Sequence, residues 1–144
     1  MPLRTSPLKS IVWFFTRPRL EGISCILKCE NEVLLVNYRY GSGWNFPTGL
    51  IRKGHESPLE AVQRELLQVL SIKIQQPQYI GFVFCKFQNR RDRVYCFYTE
   101  SSNKTVFISH RDVRDAQWFP IHSLPPISPF SKEIIDRWFK KQHY

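Results

Sequence analysis

Between Trp44 and Ile72 the chain reads WNFPTGLIRKGHESPLEAVQRELLQVLSI, and no other stretch limits its folding so tightly. An aromatic pair runs into Pro47, a glycine-bearing loop follows, and Ser57-Pro58-Leu59-Glu60 opens a helix. Serine caps a helix because its hydroxyl accepts a bond from a backbone N–H that has no partner within the helix. Proline suits the first position, and a glutamate three residues after the cap closes the capping box. Leu59, Val62, Leu66 and Val69 recur at helical spacing and predict a buried stripe. Glu65 and Gln68 fall on a neighbouring face. The helix should therefore bury one side against a sheet and turn a polar side towards a cleft.

Strand patterns lie on both sides of this helix. Ile23, Cys25, Leu27 and Cys29 alternate with Ser24, Ile26 and Lys28, Glu30-Asn31-Glu32 supplies a turn, and Val33 to Tyr38 is almost continuously apolar. This predicts a hairpin whose second strand is buried on both faces. Residues 40–43 read as a loop and Trp44-Asn45-Phe46 as a short strand ending at Pro47. Tyr79–Phe87 and Val94–Thr99 predict a second hairpin, and a symmetric tip over residues 88–93 would set Cys85 opposite Cys96 and Phe84 opposite Phe97. Thr105–Ile108 and Ala116–Pro120 are further strand candidates. A closing helix from about Ser131 should bury Ile134, Ile135, Trp138 and Phe139.

The 144 residues suit one domain, and 42% hydrophobic with 15% aromatic content excludes a disordered chain. A net charge of +9, from 21 basic and 12 acidic residues, favours phosphate-bearing partners, and it equally suits a basic surface with no such partner. Residues 1–19 form a basic and aromatic extension to a domain spanning 20–144. Its apolar run Ile11–Phe15 is too short for a bilayer span or a signal core, so a cytoplasmic protein is expected. Either a short helix from about Pro7 to Phe15 packs on the domain, or the segment is disordered. Peripheral membrane contact through Arg4, Lys9, Arg17 and Arg19 is the less favoured reading. The four cysteines form no CxxC pair, and Cys25 and Cys29 on one strand would stand about 13 Å apart, beyond disulfide reach. Free buried thiols are expected rather than a zinc site.

Glu56, seven intervening residues, Arg64-Glu65-Leu66 and then Ile72 match, in register, the Nudix box G-x5-E-x7-R-E-U-x-E-E-x-G-U, where U is aliphatic. Trp44-x-Phe46-Pro47-x-Gly49 before the box, and Trp118-Phe119-Pro120 with Leu124-Pro125 after it, extend the match. The order of elements resembles that family over residues 20–140. The resemblance implies an α/β fold, a Nudix-type α/β/α sandwich with a mixed β-sheet. It also implies a protein acting on or binding nucleoside diphosphates linked to another group, with magnesium or manganese as cofactor if it is active and none otherwise. In the family the metal is held by glutamates at i, i+3 and i+4 of the box helix, here Glu65, Gln68 and Val69. On this reading Glu65, Glu56 and Arg64 are the catalytic set, with Glu56 pairing Arg64 to hold loop to helix. Glu65 and Gln68 are the metal ligands that remain. Arg39, Trp44, Phe46, Gly49 and Arg52 are the substrate-binding candidates.

Three box positions depart from the pattern. Gln68 and Val69 replace two glutamates, and Ser71 replaces the final glycine. Losing two negative charges removes most of the attraction for a divalent cation, so hydrolysis should be weak or lost. Six residues rather than five separate Gly49 from Glu56. Either an extra residue sits near Gly54-His55, or His55 takes the glutamate's place. Arg52 stands where an acidic residue is frequent and would attract phosphate. Glu56, Glu60, Glu100, Asp112 and Asp115 are possible replacement ligands, and His55 and His122 possible bases. The Arg90-Arg91-Asp92-Arg93 segment, with aromatic residues around it, makes RNA a further candidate partner. The alternative reading is a non-catalytic nucleotide- or RNA-binding or regulatory module.

Overall fold

The computed structural model describes residues 21–39, 43–52, 54–87 and 90–142. The expectations for residues 1–19, and most of those for the loop at 40–43, lie outside these. The strands are β1 (Glu21–Cys29), β2 (Glu32–Tyr38), β3 (Trp44–Asn45), β4 (Thr48–Leu50), β5 (Gln78–Phe87), β6 (Arg90–Glu100) and β7 (Val113–Pro120). Among the described residues two helices, α1 (Pro58–Leu70) and α2 (Pro129–Gln142), cover the sheet.

β1 is the central strand. Its order in the sheet is β3-β2-β1-β6-β5, with β4 beside β1 and β7 beside β2. The β1–β2 hairpin turns at Glu30, at φ 55, and keeps only the pairs Lys28↔Val33 and Cys29↔Glu32. The two strands then diverge. β7 runs antiparallel along β2, and β4 pairs with β1 from Gly22 to Ser24. Thr48–Leu50 is thus a strand and not part of a loop, because the buried edge that β2 leaves open on β1 must find partners for its backbone groups. β1 and β6 are parallel while the other pairs are antiparallel, so the sheet is mixed as expected.

Period-two alternation divides the core into two layers. Ile23, Cys25, Leu27, Leu34 and Val36 face α1; Ile26, Val33, Leu35 and Phe46 face α2. In α1 the predicted capping box is complete: the Glu60 N–H donates to Ser57 Oγ at 3.1 Å and the Ser57 N–H to Glu60 Oε1 at 2.9 Å. Val62, Leu66 and Val69 are buried as expected, but Leu59 is 42% exposed, and Ala61 and Leu70 complete the stripe instead. At this end of the helix the buried face turns towards β1, away from Leu59. The family's terminal glycine position is left-handed here, with Ser71 at φ 58, which explains why glycine is favoured at it. In α2, Ile134, Ile135 and Trp138 are buried with Phe139 packed beside them, as the spacing predicts.

Two strand expectations are corrected. The second hairpin has a shorter tip, so β6 begins at Arg90 and Cys85 lies opposite Asp92, Phe84 opposite Arg93. A bulge between Tyr79 and Gly81, with Gly81 at φ 115, shifts the register further and brings Cys96 against Gly81. Thr105–Ile108 is not a strand. Its Phe107 N–H and the Ser109 N–H donate to the Leu70 and Val69 carbonyls at 3.0 and 2.8 Å, satisfying the end of α1 that the helix cannot satisfy itself. All four cysteines are free thiols.

Candidate functional site

Arg64, near the middle of α1, reaches back across the loop from β4. Its Nε and Nη2 donate to the two oxygens of Glu56 at 2.9 and 2.8 Å, a fork-on-fork ion pair, and Nη2 also donates to the Leu50 carbonyl at 2.9 Å. The side chains are 17% and 9% exposed, so the pair is largely withdrawn from water. The Arg64 guanidinium holds the Glu56 carboxyl below its usual range, and the carboxylate in turn raises the Arg64 pKa. The Arg52 N–H adds a bond to Glu56 Oε1 at 2.8 Å, while the Arg52 carbonyl accepts from the N–H groups of His55 and Glu56. That small turn, with Gly54 at φ 79, absorbs the extra loop residue. Glu56 and not His55 meets the arginine.

Glu65, the next residue, points to the sheet. A Cβ placed on Gly49 would stand 2.4 Å from Glu65 Cδ and 2.7 Å from Cγ and Oε1, so glycine in β4 is what lets the carboxylate lie on the strand. Glu65 Oε2 accepts from Arg64 Nη1 at 3.2 Å. Burial raises the Glu65 carboxyl above its usual range, with Arg64 opposing, and a charge on His110 would act in the same direction as Arg64. Tyr38 sits alongside: its hydroxyl donates to the Thr48 carbonyl at 3.0 Å and accepts the Thr48 N–H at 2.9 Å. Burial, then Glu65 and Asp112, make its phenol harder to ionise. Asp112, buried, has its Oδ1 without a hydrogen-bond partner. Its N–H donates to His110 Nδ1 at 3.1 Å. Asp112 Oδ2 lies 3.6 Å from the same nitrogen.

A hard divalent cation requires several oxygens not already committed. Both Glu56 oxygens are taken by Arg64. One Glu65 oxygen faces the same guanidinium, and so does the Gln68 amide oxygen, at 3.4 Å. Val69 lies in the core layer. Among the described residues no group of three His, Cys, Asp or Glu side chains is placed to hold a metal ion. This donor set does not fit magnesium or manganese by the route that the box implies.

The other candidates separate cleanly. Arg39 is exposed beside Asp112, its N–H donating to the Asp112 carbonyl at 2.7 Å and Nε to that of Arg111 at 3.0 Å. Arg52 is exposed on the loop. Trp44 and Phe46 belong to the opposite layer. The Trp44 ring meets Phe119 edge-on at 4.9 Å, and Phe46 is 0% exposed, so neither comes together with Glu65. Glu60 is spent in the helix cap, Glu100 on Tyr98 and Lys28, Asp115 on Ala116 and Gln117. His55 and His122 are exposed with no role in this cluster, whereas Tyr38 and His110, which the sequence did not single out, adjoin it. Tyr38 ends an apolar strand and His110 follows a featureless loop, so no local pattern marks either. An open depression of about 400 Å³ beside Lys73, Asn103 and Trp118 lies past the C-terminal end of α1 and includes none of these residues.

The chain matches the family model of the NUDIX domain over residues 18–138. It is 30% identical over 120 residues to the NAD-capped RNA hydrolase NudC of Pseudomonas fluorescens Pf-5, covering 81% of this chain and 42% of that protein. To the NudC of Pasteurella multocida it is 28% identical over 111 residues, covering 73% and 41%. The chain thus spans about two-fifths of the length of these relatives. The NUDIX domain of Shewanella oneidensis NrtR, solved with ADP ribose, superposes with a TM-score of 0.73 at 18% identity, covering 88% of this chain and 90% of that one. A MutT NUDIX hydrolase of Burkholderia pseudomallei gives 0.76 at 16%, covering 84% and 98%. With the box arginine on its glutamate, the α/β/α layering and a domain match running nearly end to end, the chain belongs to the Nudix family.

Proposed function

We propose that this domain binds a nucleoside diphosphate carrying a second group, in the cleft bordered by Gly49, Arg52, Glu65 and Arg39, and hydrolyses it weakly or not at all. One observation carries the reading: the Arg64 guanidinium already engages both Glu56 oxygens, one Glu65 oxygen and the Gln68 amide oxygen. Exposed Arg39 and Arg52 supply positive charge suited to a diphosphate. The names of the similar proteins agree in chemistry, since NAD and ADP ribose are both nucleoside diphosphates carrying a second group. In any residual hydrolysis Glu65 is the group to take a proton from water. Its raised pKa makes it a better base, but one carboxylate facing ordinary water gives only a small acceleration. Buried free thiols suit a reducing compartment, which accords with a cytoplasmic location. Among the described residues no helix is long and apolar enough to cross a membrane.

Calorimetric titration with ADP ribose and with NAD, in EDTA, tests the proposal. Saturable binding is expected without metal, weakened about tenfold by Arg52→Ala or Arg39→Ala, in line with the loss of one charge-assisted contact. Strictly magnesium-dependent binding, or rapid metal-dependent turnover abolished by Glu65→Gln, would overturn it.

A further inference from the structure

On the α1 side of the sheet, helix α1 has its main contacts with β1 and β4 and shares its core layer with Phe97 of β6, while α2 packs against β5 from the other side. Outward from buried Phe97, the rings on this face of β5 and β6 are partly exposed. It is not a polar face. Tyr79 is 48% exposed and Phe82 38%, with Phe84 and Tyr95 half-buried beside them. The rings stand at regular separations: 5.5 Å between Phe82 and Phe84, 6.5 Å between Phe82 and Tyr95, and 6.3 Å between Tyr79 and Tyr95. Exposed Arg93 lays its guanidinium over Phe82 at 4.8 Å and reaches towards Phe84 at 6.0 Å. The Gly81 bulge creates this surface. By adding a residue it brings Phe82 and Phe84 onto the face of Tyr79, and Val83 onto the other face beside Ile80 in the α2 core.

The register joins this surface to the candidate site. Gly49 pairs with Ile23, Ile23 with Tyr95, and Tyr95 with Phe82, so one row of the sheet runs from the Glu65 strand contact to the exposed ring. At about 4.8 Å per strand, three steps separate Gly49 from Phe82 by about 14 Å, roughly the reach of two nucleotides.

We propose that this aromatic–arginine face is a stacking platform for the unpaired bases of single-stranded nucleic acid, which would run outward from the diphosphate site. The rings meet one another tilted or edge-on, at 43° to 81°, and Arg93 lies over the Phe82 ring. A base would therefore stack on exposed Tyr79 or on the guanidinium plane that Phe82 supports, while that cation attracts the phosphates. The occupant is chosen on charge. Arg93 is unburied on the face, where the Glu21 carboxylate accepts from the Tyr95 hydroxyl at 2.7 Å, and the whole chain carries +9. A polyanion is attracted to such a surface and a second copy of this chain is repelled. Base binding rests on this face alone; only the direction of the strand rests on the proposed diphosphate site.

The test uses the full chain with a 5′-labelled twelve-nucleotide oligouridine and an abasic oligomer of the same length, by fluorescence anisotropy in EDTA. The expected result is salt-sensitive binding of the oligouridine, at least tenfold weaker for the abasic oligomer. Tyr79→Ala and Phe82→Ala should each weaken it about tenfold, and Arg93→Ala should lower the salt slope by about one. ADP ribose titrations of the same variants serve as the control, since these residues lie outside the diphosphate cleft and affinity should be unchanged. Loss of ADP ribose binding in wild type alone would sink the diphosphate reading and leave the platform standing. Equal binding of the abasic oligomer, or no effect of the ring substitutions in variants that retain wild-type circular dichroism, overturns the platform. So does a wild-type dimer that Phe82→Ala makes monomeric while oligouridine fails to bind.

Discussion

Gly49→Ala tests how tightly the strand and the box carboxylate are coupled. The new methyl carbon would lie 2.4 Å from Glu65 Cδ, and all three of its nearest neighbours are Glu65 atoms beyond Cβ. Gly49 is not among the residues with positive φ, so alanine meets no backbone strain there. By itself the substitution should stabilise by about 0.4–1 kcal/mol, through reduced freedom of the unfolded chain. Against that, Glu65 must swing away from the strand and give up its bond to Arg64 Nη1. A hydrogen bond between charged groups contributes about 1.5–3 kcal/mol, which partial exposure of the side chain reduces to about 1–2. The single variant should therefore be less stable by about 1 kcal/mol. In a Glu65→Ala background the colliding atoms are gone and the same change should stabilise. The coupling energy is then the cost of displacing Glu65, about 1–2 kcal/mol. With an m-value of about 2 kcal/mol/M in urea it appears as roughly a 0.5–1 M difference in midpoint between the two backgrounds. Four urea titrations at neutral pH complete the cycle. Additivity to within about 0.5 kcal/mol would refute the contact and, with it, the placement of Glu65 against β4.

The two box glutamates should have opposite pH signatures. Glu56 has a folded pKa below its ordinary 4.5, so its stabilisation is present above pH 4.5 and is lost as pH falls through the depressed value; Glu56→Gln should cost about 3 kcal/mol at pH 7 and progressively less below pH 4.5, measured by urea midpoints. Glu65 is raised, so its contribution is favourable below 4.5 and lost as pH rises through the folded value; Glu65→Gln should leave stability at pH 7 unchanged or higher, and a clear loss there would contradict the burial argument. Rebuilding the box should be unequal. Gln68→Glu on the exposed face should change stability by less than about 0.5 kcal/mol, whereas Val69→Glu, at a 9% exposed core position beneath the Ser109 bond, should cost about 2 kcal/mol or more by thermal melt, so turnover must be compared on folded protein. Thiol labelling with a disulfide reagent at pH 8 should reach half-buried Cys85 first. Cys96, pushed up to about 12 by burial, and Cys25, higher still, should react only on unfolding; prompt labelling of either would contradict their placement in the core.

Much of the molecule is written in short-range chemistry. A capping box joins residues three apart, so Ser57-Pro58-Leu59-Glu60 announces α1 without reference to the sheet, and alternation in Gly22–Cys29 marks a strand wherever it pairs. The spacing from Glu56 to Arg64 likewise determines an ion pair, because it joins the loop to the first turns of its own helix. Partners distant in the chain are another matter. A single bulge at Gly81 re-registers the outer hairpin and turns two phenylalanines to the surface, and nothing near Gly81 in sequence marks that choice. Trp44 and Phe46 flank the box in sequence but face α2, since a period of two sends them through the sheet from Glu65.

The chain by itself therefore determined the family, the helix and the pairing of arginine with glutamate, all of which depend on contacts within a few turns. Only the tertiary structure decided which groups share the cleft. Tyr38, His110 and Asp112 come to Glu65 because β2 and β7 pair across the sheet, bringing together residues more than seventy positions apart. The same packing decided that the box oxygens face a guanidinium and that the i+4 position is core. Those two outcomes depend on where neighbouring elements lie, which no spacing within the box specifies.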